Sequence, residues 1–129
     1  MKASRALAPA NSPDVLIVDD DLDCSEALRY LLEDRGYHVD VAQNGQQALD
    51  HFQSGGRPCI VILDLLMPVM DGMEFLRRRQ QDPVLSGTPV IVVTATDGRL
   101  ESPDQIVLKK PVDLALLVEK IERARRPAA

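Results

Sequence analysis

The chain contains few aromatic residues and few cysteines. Its 129 residues include no tryptophan, two tyrosines, two phenylalanines and two cysteines. The cysteines form no CxxC pair and have no nearby histidine, so the sequence predicts two reduced thiols and no disulfide or thiolate metal site. No apolar stretch approaches the ~18 residues of a membrane span. Residues 1–13 also lack an apolar core of signal-peptide length, so we expect a cytoplasmic protein with no membrane partner.

An excess of basic residues is also missing. The chain has 15 lysines and arginines against 20 aspartates and glutamates, giving a net charge of −5. An acidic chain has no general affinity for nucleic acid, so no nucleic-acid partner is expected. The length suits one domain that buries ~two thirds of its unfolded surface. We expect a mobile tail at 1–13, a domain at 14–126 and a short tail at 127–129.

Four short apolar runs each end in side chains that can do chemistry. They are Val15–Val18 before Asp19-Asp20-Asp21, Cys59–Leu63 before Asp64, Val90–Val93 before Thr94-Ala95, and Gln105–Leu108 before Lys109-Lys110-Pro111. Continuous β-branched runs are typical of strands buried on both faces, as in a parallel sheet covered by helices. A fifth, shorter strand is predicted within Tyr37–Ala42.

Helical spacing separates these strands. Apolar residues repeat at Ala27, Leu28, Leu31 and Leu32, and at Leu114, Leu117, Val118 and Ile121. Two further helices are expected after Asn44 and Asp71, which can cap them. The alternation predicts an α/β fold, a doubly wound parallel sheet with helices on both faces. The crossover at 95–104 is near the minimum of ~10–12 residues and contains Gly98 and Pro103, so at most one short helix is expected there.

The strand ends predict one shared site. The carboxyl ends of parallel strands lie along one edge, where ligands bind in open α/β sheets. Asp19, Asp20, Asp64, Thr94 and Lys110 are therefore expected together. Two carboxylates ~5 Å apart repel by roughly 3 kcal/mol at an effective dielectric near 20, so one stays protonated or a cation lies among them. Mg²⁺ suits such ligands, and a carboxylate so placed can accept a phosphoryl group.

Helix capping is the competing interpretation for aspartates at strand ends. We favour it for Asp21 and Asp23. It is weaker for Asp64, because Leu65-Leu66-Met67-Pro68-Val69-Met70-Asp71-Gly72 follows and because Lys110 precedes a proline at another strand end.

These motifs together resemble the receiver domain of response regulators in two-component signalling, in the manner of single-domain chemotaxis regulators. The family's acidic pair is matched by Asp19 and Asp20 in VLIVDDD, its D-x-x-M-P-x-x-D-G pattern by Asp64 to Gly72, its hydroxyl and small residue by Thr94-Ala95, and its Lys-Pro by Lys110-Pro111. The resemblance covers about Asp14 to Arg126. It implies a flavodoxin-like strand order, 2-1-3-4-5. The family usually has a full fourth helix, and the short crossover at 95–104 departs from it by leaving that helix shortened or missing.

The resemblance also implies a role for each matched residue. Asp64 resembles the phosphoacceptor, Asp20 the direct Mg²⁺ ligand, Asp19 a ligand acting mainly through water, and Leu66 a ligand through its backbone carbonyl. Thr94 and Lys110 resemble the residues that hold the phosphoryl group, Ala95 the small residue at the mouth, and Pro111 a candidate for a cis peptide bond. Lys109 is the less favoured lysine, because only Lys110 precedes Pro111.

The function implied is a stand-alone receiver, not an enzyme on a separate metabolite. A histidine kinase or histidine phosphotransfer protein would phosphorylate Asp64 with Mg²⁺ as cofactor, and the signal would pass to an unknown downstream protein. Two alternatives stay open. An aspartyl-nucleophile phosphohydrolase would carry a second acid where this chain has Leu66. A phosphate-independent interaction module is favoured by the short crossover and by Val107, where the family often has an aromatic residue.

Overall fold

A helix follows the first, second, third and fifth strands along the chain, as the sequence predicts. The computed structural model describes residues 14–55, 58–64, 72–94 and 106–125, apart from the side chains of residues 72, 73, 84, 85 and 125. The strands are β1 (Val15–Val18), β2 (Val39–Ala42), β3 (Ile60–Asp64), β4 (Val90–Thr94) and β5 (Ile106–Lys109). The helices are α1 (Leu22–Asp34), α2 (Gly45–Gln53), α3 (Gly72–Gln81), α4 (Pro83–Ser86) and α5 (Leu114–Arg125). None of these helices is both long and apolar enough to span a bilayer.

All five strands form one parallel sheet in the order β2-β1-β3-β4-β5. The predicted doubly wound sheet and its strand order are confirmed. The chain winds from β1 to β2 in one direction and from β3 to β5 in the other, so the order reverses between β1 and β3. Ligands bind beside such a reversal in open α/β sheets. The short crossover at 95–104 lies outside the described residues.

Helices cover both faces of the sheet because the side chains of each strand alternate in direction. Leu16 and Val18 face a cluster that includes Phe52 of α2 and Phe75 of α3. The intervening residues of β1 face the other cluster, which includes Leu117 of α5. All four positions of β1 are buried. Burial on both faces explains why the central strands are uninterrupted apolar runs.

The apolar stripe of α1 is narrower than the sequence predicts. Leu32 is buried and Leu28 partly buried, but Ala27 and Leu31 are exposed. The row that faces the sheet contains Ser25, Leu28 and Leu32, at i, i+3 and i+7. Ser25 belongs in that row because its hydroxyl donates to the carbonyl of Leu22, 3.2 Å away, which satisfies a buried polar group.

Short polar side chains begin the first two helices. The Asp21 Oδ1 atom accepts from the backbone N–H of Cys24 at 3.1 Å, and the Asn44 Oδ1 atom accepts from that of Gln47 at 2.9 Å. Each bond satisfies one of the N–H groups that a helix start leaves without a partner. Gly36, with φ of 97°, follows α1 in the left-handed conformation that glycine adopts without strain.

The sequence did not predict α4. Four residues are too few for a hydrophobic period, although Pro83 at the first helical position is a usual start signal. The guanidinium of Arg79 donates to the carbonyl oxygens of Ser86 and Thr88 at 2.9–3.2 Å. These hydrogen bonds fix the turn that leads from α4 into β4. Burial lowers the pKa of Arg79.

Two neighbouring leucines of α5 test the packing. Leu117 is fully buried and Leu116 is 39% exposed. We expect Leu117→Ala to lower the free energy of unfolding by about 2–5 kcal/mol, because it removes buried methyl groups and leaves a cavity. Leu116→Ala, the matched control, should cost less than about 1 kcal/mol. Urea unfolding measures both values, and equal losses would contradict the packing described.

Candidate functional site

Three carboxylates meet at the carboxyl edge of the sheet. Asp19 follows β1 directly, and Asp64 is the last residue of β3. Each of Asp19, Asp20 and Asp64 offers a carboxylate oxygen, and these three oxygens lie within 4.8 Å of one another. Asp19 and Asp64 are buried at 6% and 8% exposure, whereas Asp20 is exposed. The cluster therefore opens to solvent on the side of Asp20.

Lys110 brings the balancing positive charge from the far edge of the sheet. Its Nζ atom lies 3.1 Å from Asp19 Oδ2 and 3.5 Å from Asp64 Oδ2. Partial burial by itself lowers the pKa of Lys110, but the hydrogen bond to Asp19 and the charges of both carboxylates outweigh it, so the pKa is raised. Lys110 is therefore positively charged throughout the neutral pH range.

The backbone around Lys110 connects it to the neighbouring strand. Its N–H donates to the carbonyl of Thr94 at 2.8 Å, and the bond between Lys110 and Pro111 is cis. Lys109, the alternative lysine, ends β5 and is exposed. Of the two lysines, Lys110 is thus the one that the structure pairs with both buried carboxylates.

Thr94 ends β4 beside the acidic cluster. In the register of β3 and β4, Asp64 pairs with Val93, so Thr94 lies one position further towards the carboxyl edge. Thr94 is fully buried. The structure thus brings Asp19, Asp20, Asp64, Thr94 and Lys110 to one edge of the sheet. The predicted roles of Leu66 and Ala95 concern residues outside the described part of the chain.

The donor set fits a hard divalent cation. In the part of the site that the structure describes, three carboxylates face one ammonium, which gives a net negative charge within a small space. Carboxylate oxygens are the ligands that Mg²⁺ prefers, and Mg²⁺ keeps several waters, which the exposed side at Asp20 allows. Asp19, Asp20 and Asp64 are therefore the residues that could hold the ion.

Sequence reasoning did not associate Cys24 with the acidic site. The first turn of α1 brings its half-buried thiol into the electrostatic field of the site. Burial raises the pKa of this thiol, Lys110 lowers it, and the carboxylates of Asp19, Asp21 and Asp64 raise it again, so the net shift is upward. The thiol therefore stays protonated at neutral pH. Helical geometry after Asp21 was the signal that could have placed it here.

Comparison with known proteins identifies the family. The model of the response regulator receiver domain matches residues 15–122, most of the chain. The chain belongs to the response regulator receiver domain family. Receiver domains are signalling modules of two-component systems, and the family binds Mg²⁺ in an acidic pocket such as the one described here.

Relatives of this receiver domain differ widely in length. A 14.6 kDa protein of Leptolyngbya boryana is 35% identical over 116 residues, which cover 85% of this chain and 88% of the relative. Response regulator MprA of Mycolicibacterium vanbaalenii is 42% identical over 84 residues, which cover 65% of this chain and 35% of MprA. This chain thus spans about a third of the length of MprA.

A solved structure shares the fold of this receiver domain. Response regulator TrrA of Thermotoga maritima, in complex with Mg²⁺ and BeF, superposes with a TM-score of 0.75 at 29% identity. The match covers 85% of this chain and 96% of that chain.

The repulsion among the three carboxylates allows the cation site to be tested without any phosphodonor. In EDTA, Asp20→Asn should raise the free energy of unfolding by roughly 0.5 kcal/mol, because it removes repulsion from Asp19 and Asp64 at a solvent-screened position. The same change should abolish the stabilisation that Mg²⁺ gives to the wild type. Thermal unfolding with and without Mg²⁺ measures both effects.

The matched control is Asp23→Asn. Asp23 is an exposed acid in the first turn of α1, the helix that begins just after Asp20. Its negative charge lies favourably near the helix N-terminus, so its removal should lower stability slightly and leave the Mg²⁺ response intact. A Mg²⁺ response that survives in Asp20→Asn would contradict the cation site described.

Proposed function

We propose that this receiver domain accepts a phosphoryl group onto Asp64 in a Mg²⁺-dependent reaction. The donor is a histidine kinase or a histidine phosphotransfer protein. The observation that carries the proposal is the position of the Asp64 carboxylate, beside both the ammonium of Lys110 and the carboxylates of Asp19 and Asp20. A nucleophile in that position lies beside an ammonium and beside carboxylates that can hold a divalent cation, and these two positive charges can neutralise an incoming phosphoryl group.

The transfer exchanges one phosphorus bond for another. An oxygen of Asp64 forms a bond to phosphorus as the bond from phosphorus to the donor's imidazole nitrogen breaks. The electron pair of the broken bond stays on that nitrogen, which then takes up a proton. The product is a mixed anhydride of carboxylic and phosphoric acid on the aspartyl side chain.

Lys110 and Thr94 are the residues that would hold the phosphoryl oxygens. Lys110 Nζ, 3.5 Å from Asp64 Oδ2, can pair with one oxygen as a point charge. The hydroxyl of Thr94 can donate a hydrogen bond to another. Mg²⁺, when bound by Asp19, Asp20, Asp64 and the backbone carbonyl of Leu66, supplies the remaining positive charge.

A hydrolase acting on free phosphate esters is the less favoured function. It needs a general acid for the leaving group, and the position two residues after Asp64 is Leu66. Among the described residues, the other acids within this cluster are Asp19 and Asp20, which the cation site uses. His51, on α2, is not a member of this cluster. Its ring contacts the carboxylate of Asp40 on β2, 3.4 Å away. Slow loss of the protein's own phosphate is the hydrolysis we expect.

We further propose that the domain works in the cytoplasm without an attached output domain and signals by protein contact. The relative from Leptolyngbya boryana, of which the match covers 88%, supports a receiver of this length. Val107 is 41% exposed on the edge strand β5 and has no ring to report phosphorylation. The absence of that ring, with the short crossover, also favours the alternative of an interaction module that works without phosphate. The segment where we expect the response, 95–104, lies outside the described residues.

Intact-protein mass spectrometry tests the phosphoacceptor. With Mg²⁺ and acetyl phosphate as the small donor, the wild type should gain the mass of one phosphoryl group, and EDTA should prevent the gain. Asp64→Asn should gain nothing, because the amide oxygen is a poor nucleophile of the same shape.

Asp23→Asn is the control, since it removes an exposed carboxylate from the same end of the sheet without touching the cluster. It should be phosphorylated like the wild type. Phosphorylation of Asp64→Asn to the wild-type extent would refute the assignment. If neither the wild type nor Asp23→Asn is phosphorylated, the phosphate-independent module is favoured.

A further inference from the structure

Asp21 connects the start of α1 to the acidic cluster through three of its own groups. Its carboxylate Oδ1 accepts from the N–H of Cys24 at 3.1 Å, and its carbonyl accepts from the N–H of Ser25 at 2.9 Å. Its own N–H points the other way and donates to Asp19 Oδ1 at 2.9 Å. One residue therefore both begins the helix and holds a carboxylate of the site.

The hydrogen bond from Asp21 completes the fixation of Asp19. The other oxygen of that carboxylate, Oδ2, accepts from Lys110 Nζ at 3.1 Å, and the backbone N–H of Asp19 donates to the carbonyl of Ala42 at 3.0 Å. With both oxygens and the backbone held, the plane of the carboxylate is set before any ligand arrives. A ligand that is oriented in advance loses less freedom on binding.

The direction of the Asp21 N–H depends on the backbone conformation of this residue. Asp21 is extended, with φ of −84° and ψ of 102°, whereas the residues after it are helical. The bond from its side chain to Cys24 holds that change of conformation in place, as N-cap side chains do. Loss of the cap would let the first turn of α1 fray and release the N–H from Asp19.

We propose that Asp21 is a positioning residue, which sets the affinity of the cluster for a divalent cation by capping α1. The inference rests on the proposed phosphoryl-accepting function. The role belongs to the hydrogen-bond acceptor of the side chain and not to its charge. The carboxylate of Asp21 is exposed and turned to the helix start, and it lies outside the group of three carboxylates that could hold an ion.

Two substitutions separate the acceptor from the charge. Asp21→Asn keeps an acceptor of the same shape and is an equally good cap, but removes the charge. In 0.15 M salt it should weaken Mg²⁺ binding by no more than about threefold, the loss expected for one screened charge. Asp21→Ala removes both, and should weaken Mg²⁺ binding about tenfold or more, as the loss of an outer-shell partner typically does.

Asn44→Ala supplies the matched control for a lost helix cap. Asn44 begins α2 with the same kind of bond, accepting from the backbone N–H of Gln47, whereas the hydrogen bonds to Asp19 described above come from Asp21 and Lys110. It should lower the midpoint of thermal unfolding about as much as Asp21→Ala does, yet leave the Mg²⁺ dissociation constant unchanged. Isothermal titration calorimetry with MgCl₂ and thermal unfolding in EDTA give the two readouts.

Three results would overturn the role of Asp21. They are wild-type Mg²⁺ affinity in Asp21→Ala, equal losses in Asp21→Ala and Asp21→Asn, and an equal loss in Asn44→Ala. The first denies any role, the second assigns it to charge, and the third assigns it to general loss of stability. Failure of the wild type to bind Mg²⁺ would instead overturn the proposed function, so the two failures are distinguishable.

Discussion

The site depends on one contact, the ammonium of Lys110 held between the carboxylates of Asp19 and Asp64. Lys110 follows β5 and Asp19 follows β1, which are three strand positions apart, or ~14 Å at the usual strand spacing of ~4.8 Å. The long side chain of Lys110 therefore reaches from beyond β4 to Asp64 of β3 and to Asp19 after β1. This contact places Asp64, the proposed nucleophile, beside an ammonium at the point where the strand order reverses.

Such a contact contributes more to function than to stability. Partly buried ion pairs gain little net free energy, because desolvation of both charges offsets their attraction. Among the described residues, the site has the single ammonium of Lys110 against three carboxylates, an excess of negative charge that a divalent cation can balance. The same excess would repel a phosphoryl group in the absence of a cation. The proposed dependence of phosphorylation on Mg²⁺ therefore follows from the charges at this edge.

The sequence predicted those features that depend on pattern. Apolar runs located the strands, and because parallel strands share one carboxyl edge, the convergence of Asp64 and Lys110 could be inferred. What it could not predict depends on backbone geometry. Leu31 faces solvent because the side of α1 that packs on the sheet is the one with Ser25, Leu28 and Leu32. Helix α4 is too short to show a hydrophobic period. The hydrogen bond from Asp21 to Asp19 exists only in one backbone conformation of the turn.

The most direct test of this account compares two adjacent lysines. Glutamine keeps the length of lysine but not its charge. With Mg²⁺ and acetyl phosphate, Lys109→Gln should accumulate phosphorylated protein like the wild type, because Lys109 is exposed at the end of β5. Lys110→Gln should lose most of it, because the cation beside Asp64 is gone. Wild-type phosphorylation of Lys110→Gln, measured by intact mass, would contradict the account.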